Sequence, residues 1–250
     1  MNLGKCVDCQ NTAAAEVIKW QCLPVRSFGG LPTGRLKAVT VGLNPAYDDW
    51  LTPDQKNWRN PQERAATDFD YKKSKRGDLT PKDCADTVRR LGEYFHHPNK
   101  KWHRYFEAME LFLAHIHHDW SYAYGTVMHI DLIACATQMR FKDIPGQARE
   151  TLLKNCEKHL LETIRCLPEN IIMLLNGSTQ AEAVKKLGEI NVHRSRVLIN
   201  INGLTGSSGE LKIAEKNFVF CEWSSSAASL SIPSRMDLAF WVRDQIKGHF

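Results

Sequence analysis

Val39-Thr40-Val41-Gly42-Leu43-Asn44-Pro45 is the stretch on which the reading of this chain turns. The run 37–43 is short, apolar and rich in β-branched residues, which predicts a buried strand. Gly42 then frees the backbone, Asn44 can bond its own main chain, and Pro45 stops the strand. By itself the local pattern is a tight turn at the carboxyl end of a strand. Outward from it, 126–134, 171–175 and 217–222 read as further strands, with a short one at 196–201. Helices are expected at 82–94, 99–118, 146–166, 179–187 and 234–246, the second marked by apolar residues at helical spacing. Short buried strands alternating with helices predict an α/β fold with a parallel sheet covered on both faces. Ligands of such sheets gather beyond the carboxyl ends of the strands. Here those ends are Asn44 and its neighbours, Asp131-Leu132, Asn176-Gly177, and the loop from Trp223 to Ser231.

The chain has 250 residues, 43% of them hydrophobic and 24% charged, with a net charge of +5. That supports one substantial core and argues against a disordered chain. The mild basic excess permits a nucleic-acid partner without requiring one. Residues 1–10 lack a basic region followed by an apolar run, so no secretory signal is expected. No apolar stretch approaches the roughly 18 residues needed to span a bilayer, so no membrane association is expected. Eight cysteines lie scattered, several within apolar runs, which fits a reducing, cytoplasmic setting. Cys6 and Cys9 have metal-like spacing, with Cys22 and Cys84 as distant further ligands. The alternative is a free-thiol N-terminal segment. His96-His97 and His117-His118 are adjacent histidine pairs. Neighbours on a helix point in different directions, so neither pair makes a good metal site alone.

Taken in order, the four strand ends resemble the uracil-DNA glycosylase superfamily. The segment from Val39 to Pro45 is similar to its first motif, in which a strand ends in Gly-x-(Asp/Asn/Glu)-Pro. His129-Ile130-Asp131-Leu132 resembles the second strand, whose end reads the base. The run 171–177 resembles the third strand with its glycine turn. The segment 220–231 takes the place of the His-Pro-Ser loop. The resemblance implies a three-layer α/β/α sandwich around a central four-stranded parallel sheet. It implies a single domain with its core at about 36–246 and an N-terminal extension at 1–35.

The activity implied is hydrolysis of the N-glycosidic bond of a base flipped out of DNA, by a monomer that needs neither cofactor nor metal. By resemblance Asn44 holds the attacking water, since an amide oxygen can orient a water without being a strong base. Gly42, Leu43, Pro45, Ala46 and Tyr47 would line the base pocket. Trp58 is the favoured stacking aromatic, with Phe69 and Tyr71 as competitors. The uracil-specific branch carries tyrosine where this chain has Ala46, which leaves room at C5 of the base. An ionised Asp131 is acceptor-only and suits an exocyclic amino group such as cytosine N4–H better than uracil O4. Together they point to a C5-modified cytosine, in repair or in defence against modified phage DNA. The alternative for Asp131 is a helix cap or loop brace.

The last motif departs from the family. Cys221-Glu222-Trp223-Ser224-Ser225-Ser226 holds no histidine. Ser225 or Ser226 could donate instead, or catalysis is weaker, and His129 and His193 are substitutes outside the matching loop. Ser224, Ser225 and Ser226 suit phosphates. Leu230 is either a wedge in the base stack or a core anchor for the closing helix. Lys72, Lys73, Lys75 and Arg76 form the densest basic cluster, a phosphate site or a solvated loop. The rival functions are a DNA- or modified-base-binding module that does not cut, and a hydrolase of free nucleosides.

Overall fold

The computed structural model describes residues 9, 11–18, 25, 27–29, 35–44, 81–96, 104–198 and 203–249. Pro45, Ala46, Tyr47, Trp58, Phe69, Tyr71, Lys72, Lys73, Lys75, Arg76, Cys6 and Cys22 lie outside them, as do the side chains of Cys84 and His193. The class is α/β, with seven strands and five α-helices among the described residues. The chain forms two compact units, each drawn from three stretches of sequence. One comprises Met1–Gly30, Leu43–Lys100 and Asp131–Leu160; the other comprises Leu31–Gly42, Lys101–Ile130 and Leu161–Phe250.

The first unit holds β1 (Ser27–Phe28), α1 (Pro81–Gly92) and most of α3 (Gly146–Arg165). Gly29 donates to the Leu91 carbonyl at 3.0 Å, and the Phe28 and Tyr94 rings meet edge-on at 4.8 Å. Residues 16–18 and 25, expected as part of an extension, bond within this unit. Ile18 bridges Thr137, Gln138 donates to the Val17 carbonyl at 2.8 Å, and Val25 donates to the Ala134 carbonyl at 2.6 Å. Cys9 is buried and its sulfur accepts from Asn155 Nδ2 at 3.3 Å.

The second unit is built on a sheet with β2 (Ala38–Gly42), β3 (Val127–Asp131), β4 (Ile172–Asn176), β5 (Glu189–Leu198), β6 (Thr205–Ile213) and β7 (Lys216–Trp223). Their order is β3-β2-β4-β7-β6-β5. β2 and β4 are buried at every residue, as expected of strands covered on both faces. β2 pairs parallel with β4, and β4 parallel with β7, so that Asn176 stands opposite Trp223.

Beyond β7 the sheet departs from the expected all-parallel arrangement. β6 and β5 continue it antiparallel, making it mixed. β5 is ten residues long where a short strand at 196–201 was expected, and β6 was not foreseen at all. The reason is local chemistry. β6 begins Thr-Gly-Ser-Ser-Gly, a composition typical of loops. Gly209 is required there because a Cβ would lie 2.2 Å from the Asn191 carbonyl oxygen, too close for any side chain. The β6–β7 turn places Ala214 and Glu215 at φ 51° and 63°, a left-handed pair normally signalled by Asn-Gly.

Side-chain alternation fixes which helix covers which face. On β7, Phe220 and Glu222 meet Lys185 of α4 (Ser178–Lys185). Trp223, of the opposite parity, meets Phe112 of α2 (Arg104–Ile116) at 5.4 Å. β6 follows suit: Ser207 bonds Glu222 on the α4 side, whereas Ser208 bonds Gln245 of α5 (Ile232–Gln245). Among the described residues no helix is long and apolar enough to cross a membrane.

Candidate active site

In the first unit, Asn44 and the segment after Asp131 are joined at two points. The Leu43 carbonyl accepts from the Ile133 N–H at 2.9 Å, and Asn44 Nδ2 donates to Thr137 Oγ1 at 3.2 Å. The Thr137 hydroxyl proton is already committed to the Met139 carbonyl at 2.7 Å. Its oxygen can therefore only accept from Asn44, which fixes the amide with its nitrogen toward Thr137 and its carbonyl oxygen at the other end. Asn44 is half-buried and Asp131 is buried. Thr137 is itself held by the bridge to Ile18, so the N-terminal segment braces the residue that orients Asn44. Sequence reading missed Thr137. Its link to Asn44 spans 93 residues, and no local pattern signals it.

In the second unit, Gly42 is the buried last residue of β2, and Thr40 two residues earlier begins a polar chain. Its Oγ1 lies 2.7 Å from both the Tyr122 hydroxyl and His129 Nδ1. The His129 ring is buried and boxed edge-on by Tyr105, Phe106 and Tyr122 at 5.3, 5.1 and 6.4 Å. This histidine, considered above as a substitute donor, is therefore packed as a core residue.

At the ends of β4 and β7 a second amide organises the serine-rich loop. Asn176 is 1% exposed and uses both ends of its side chain. Its Oδ1 accepts from Trp223 Nε1 at 2.9 Å and from the Ala227 N–H at 2.8 Å. Its Nδ2 donates to the Tyr105 hydroxyl at 2.9 Å and to Ser226 Oγ at 3.3 Å. Gly177 follows at φ 134°, where a Cβ would sit 2.6 Å from Gln180 Oε1.

Arg235 of α5 holds the same loop from the other side. Its guanidinium donates to the carbonyls of Ala227, Ala228 and Leu230 at 3.0, 3.3 and 2.9 Å. Ser231 caps α5 by accepting from the Ser234 N–H at 3.4 Å. Sequence reading placed Asn176 in a glycine turn and passed over Arg235. An asparagine ending a wholly apolar strand was the available signal, because a buried amide needs partners.

The loop's side chains divide by exposure. Ser224 and Ser225 are exposed and Ser226 is half-buried. Ser224 Oγ accepts from the Thr205 N–H at 3.2 Å, and Ser229 Oγ donates to the Ser226 carbonyl at 2.6 Å. Leu230 is half-buried and stands outside the fully buried core, whereas Ile232 two residues on is 64% exposed. Glu222, at the position before Trp223, is held by Lys185 Nζ at 2.7 Å and by the Ser207 hydroxyl. Its carboxylate is thus committed to the α4 face. No family model, curated protein or solved structure matches this chain.

Proposed function

We propose that the chain is a monofunctional DNA glycosylase related to the uracil-DNA glycosylase superfamily. Asn44 positions the attacking water and Asp131 reads the base. The carrying observation is the fixed orientation of the Asn44 amide. Thr137 holds the nitrogen, so the carbonyl oxygen is the end that can accept from a water. In the reaction, the water oxygen bonds to C1′ of the sugar while the N-glycosidic electron pair leaves with the base. The water's surplus proton passes to solvent. An amide pre-set in this way removes orientation freedom from the water before the bond breaks.

The four-stranded parallel core of that fold would be β3-β2-β4-β7, flanked by helices as a three-layer sandwich. Two bonds in step support the β3–β2 direction: Lys37 N–H to the Thr126 carbonyl at 2.8 Å, and Ile133 N–H to the Leu43 carbonyl at 2.9 Å. The substrate we favour is a C5-modified cytosine, on Ala46 and Asp131, with the 224–231 loop as the DNA grip of a monomer.

The test is incubation with DNAs bearing uracil, hypoxanthine, hydroxymethylcytosine or glycosylated hydroxymethylcytosine, followed by detection of alkali-labile abasic sites. Excision of a modified cytosine, reduced by a factor of 100 or more in Asn44→Ala, is the expected result, on the order of one lost transition-state contact. A fully active Asn44→Ala would remove the catalytic assignment. Activity on uracil alone would remove the substrate assignment. A second reading, a DNA-binding module that does not cut, is favoured by the absence of histidine from 221–226. Tight binding to a modified duplex without abasic-site formation would select it.

A further inference from the structure

His117, His118 and Asp119 follow directly on the last residue of α2, Ile116. Because the helix has ended, the adjacent histidines do not splay as neighbours on a helix would. Their rings stack at 4.5 Å with 26° between planes. One ligand atom from each of the three side chains lies within 4.8 Å of the other two. His118 Nε2 and Asp119 Oδ1 are 3.3 Å apart. Two ligands at about 2.0–2.1 Å from a tetrahedral zinc ion stand about 3.3 Å from each other, so this edge already has the length a metal would impose. With all three ligand atoms within 4.8 Å, closing the His117 corner requires a shift of at most about 1.5 Å, within the reach of side-chain rotation.

We propose that His117, His118 and Asp119 form a surface site for a divalent transition metal, with Zn²⁺ as the favoured ion. Two imidazoles and one carboxylate are the donor set that zinc accepts, and water completes the coordination. The site is distinct from the proposed catalytic groups and does not rest on the glycosylase reading. Its place in the second unit gives it a structural consequence. The His117 carbonyl accepts from the Trp120 N–H at 2.9 Å, and the Asp119 carbonyl accepts from the Thr126 hydroxyl at 2.6 Å. Trp120 is fully buried. A metal held by 117–119 therefore clamps the turn that carries the chain from α2 toward β3. Binding to the folded form alone must raise its stability.

The experiment uses the full chain with any affinity tag removed, titrated with Zn²⁺ by calorimetry and with Co²⁺ by visible absorption. One ion per chain is expected at this site, with Co²⁺ bands free of thiolate charge transfer and a melting temperature raised by Zn²⁺. His118→Ala and Asp119→Asn should each weaken binding at least about tenfold and lose the thermal shift. These positions are exposed, so the variants should fold. Circular dichroism in the absence of metal verifies this. Unchanged affinity in both variants would overturn the proposal. So would Co²⁺ spectra showing only thiolate ligation, which would place the ion on cysteines.

Discussion

Asn176→Ala tests how the loop that follows β7 is held. The substitution removes an acceptor shared by Trp223 Nε1 and the Ala227 N–H, at 2.9 and 2.8 Å. Both donors belong to fully buried residues, so neither gains solvent in exchange. A buried donor left without a partner costs about 1–3 kcal/mol. The hydroxyls of Tyr105 and Ser226 belong to half-buried residues that can turn to water, and the Met109 sulfur, 3.7 Å from Nδ2, is a weak acceptor, so these partners add little. The expected loss is therefore about 3 kcal/mol, with a trapped water able to recover part of it. Urea denaturation reads this as a lower midpoint at unchanged slope. Ser226→Ala is the internal comparison. It removes one 3.3 Å contact at a half-buried site and should stay within about 0.5 kcal/mol of wild type. Hydrogen exchange supplies a local readout, since the Ala227 amide should lose its protection in Asn176→Ala but keep it in Ser226→Ala. Equal midpoints for the two variants, or a loss below about 1 kcal/mol for Asn176→Ala, would refute the assignment of Asn176 as the hub.

Two further outcomes follow from particular residues. Replacing Ala214-Glu215 with Asn-Gly should stabilise the protein by about 1 kcal/mol, because both positions are left-handed in a two-residue hairpin turn. The Lys212–Glu215 ion pair it removes is well exposed and offsets little, so a lower urea midpoint would contradict the turn geometry. Burial pushes the Cys221 thiol well above its ordinary 9.0. Above pH 9 the unfolded chain releases this proton while the folded chain keeps it. Stability is thus fully present below pH 9 and falls by up to about 1.4 kcal/mol per pH unit above it. The fall in urea midpoint from pH 8 to pH 10 should be smaller in Cys221→Ala, and an unchanged alkaline slope would argue against this thiol as a contributor.

The parts of the fold that were legible carry their signal within their own residues. β2 and β4 are buried on both faces, so their sequences are apolar runs, interrupted within β2 only by Thr40, that end at polar turns. α3 and α5 fall close to their predicted limits because their ends carry glycine, serine and proline at positions that favour helix starts. β6 was illegible for the opposite reason. It carries glycine and serine because Gly209 must admit the backbone of β5, and the pairing partner is what rescues it as a strand. Its exit turn uses Ala214-Glu215, which carries no turn signature. The same limit applies to the site. The motif around Asn44 was visible, yet Thr137, which sets the amide's orientation, became apparent only in the folded chain. The reading of His117-His118 as divergent assumed a helix that in fact stops at Ile116.

The absence of histidine from 221–226 gains meaning from how the loop is built. A loop that grips a partner must be stiff, and its displayed groups must not be spent inside the protein. Stiffness here comes from main-chain contacts: Asn176 takes the Ala227 N–H, and Arg235 takes three carbonyls. Most of the loop serines serve the same end. Ser224 meets β6, Ser226 meets Asn176, Ser229 turns back on the loop, and Ser231 caps α5. Ser225 is exposed and, among the described residues, carries no intramolecular hydrogen bond. Ile232, the first residue of α5, is a more exposed large apolar side chain than Leu230. If this loop and the start of α5 grip DNA as proposed, one hydroxyl and one apolar side chain are what they have to offer, Ser225 for a phosphate and Ile232 for the stacked bases. Leu230, whose carbonyl is tied to Arg235, then belongs to the support beneath them.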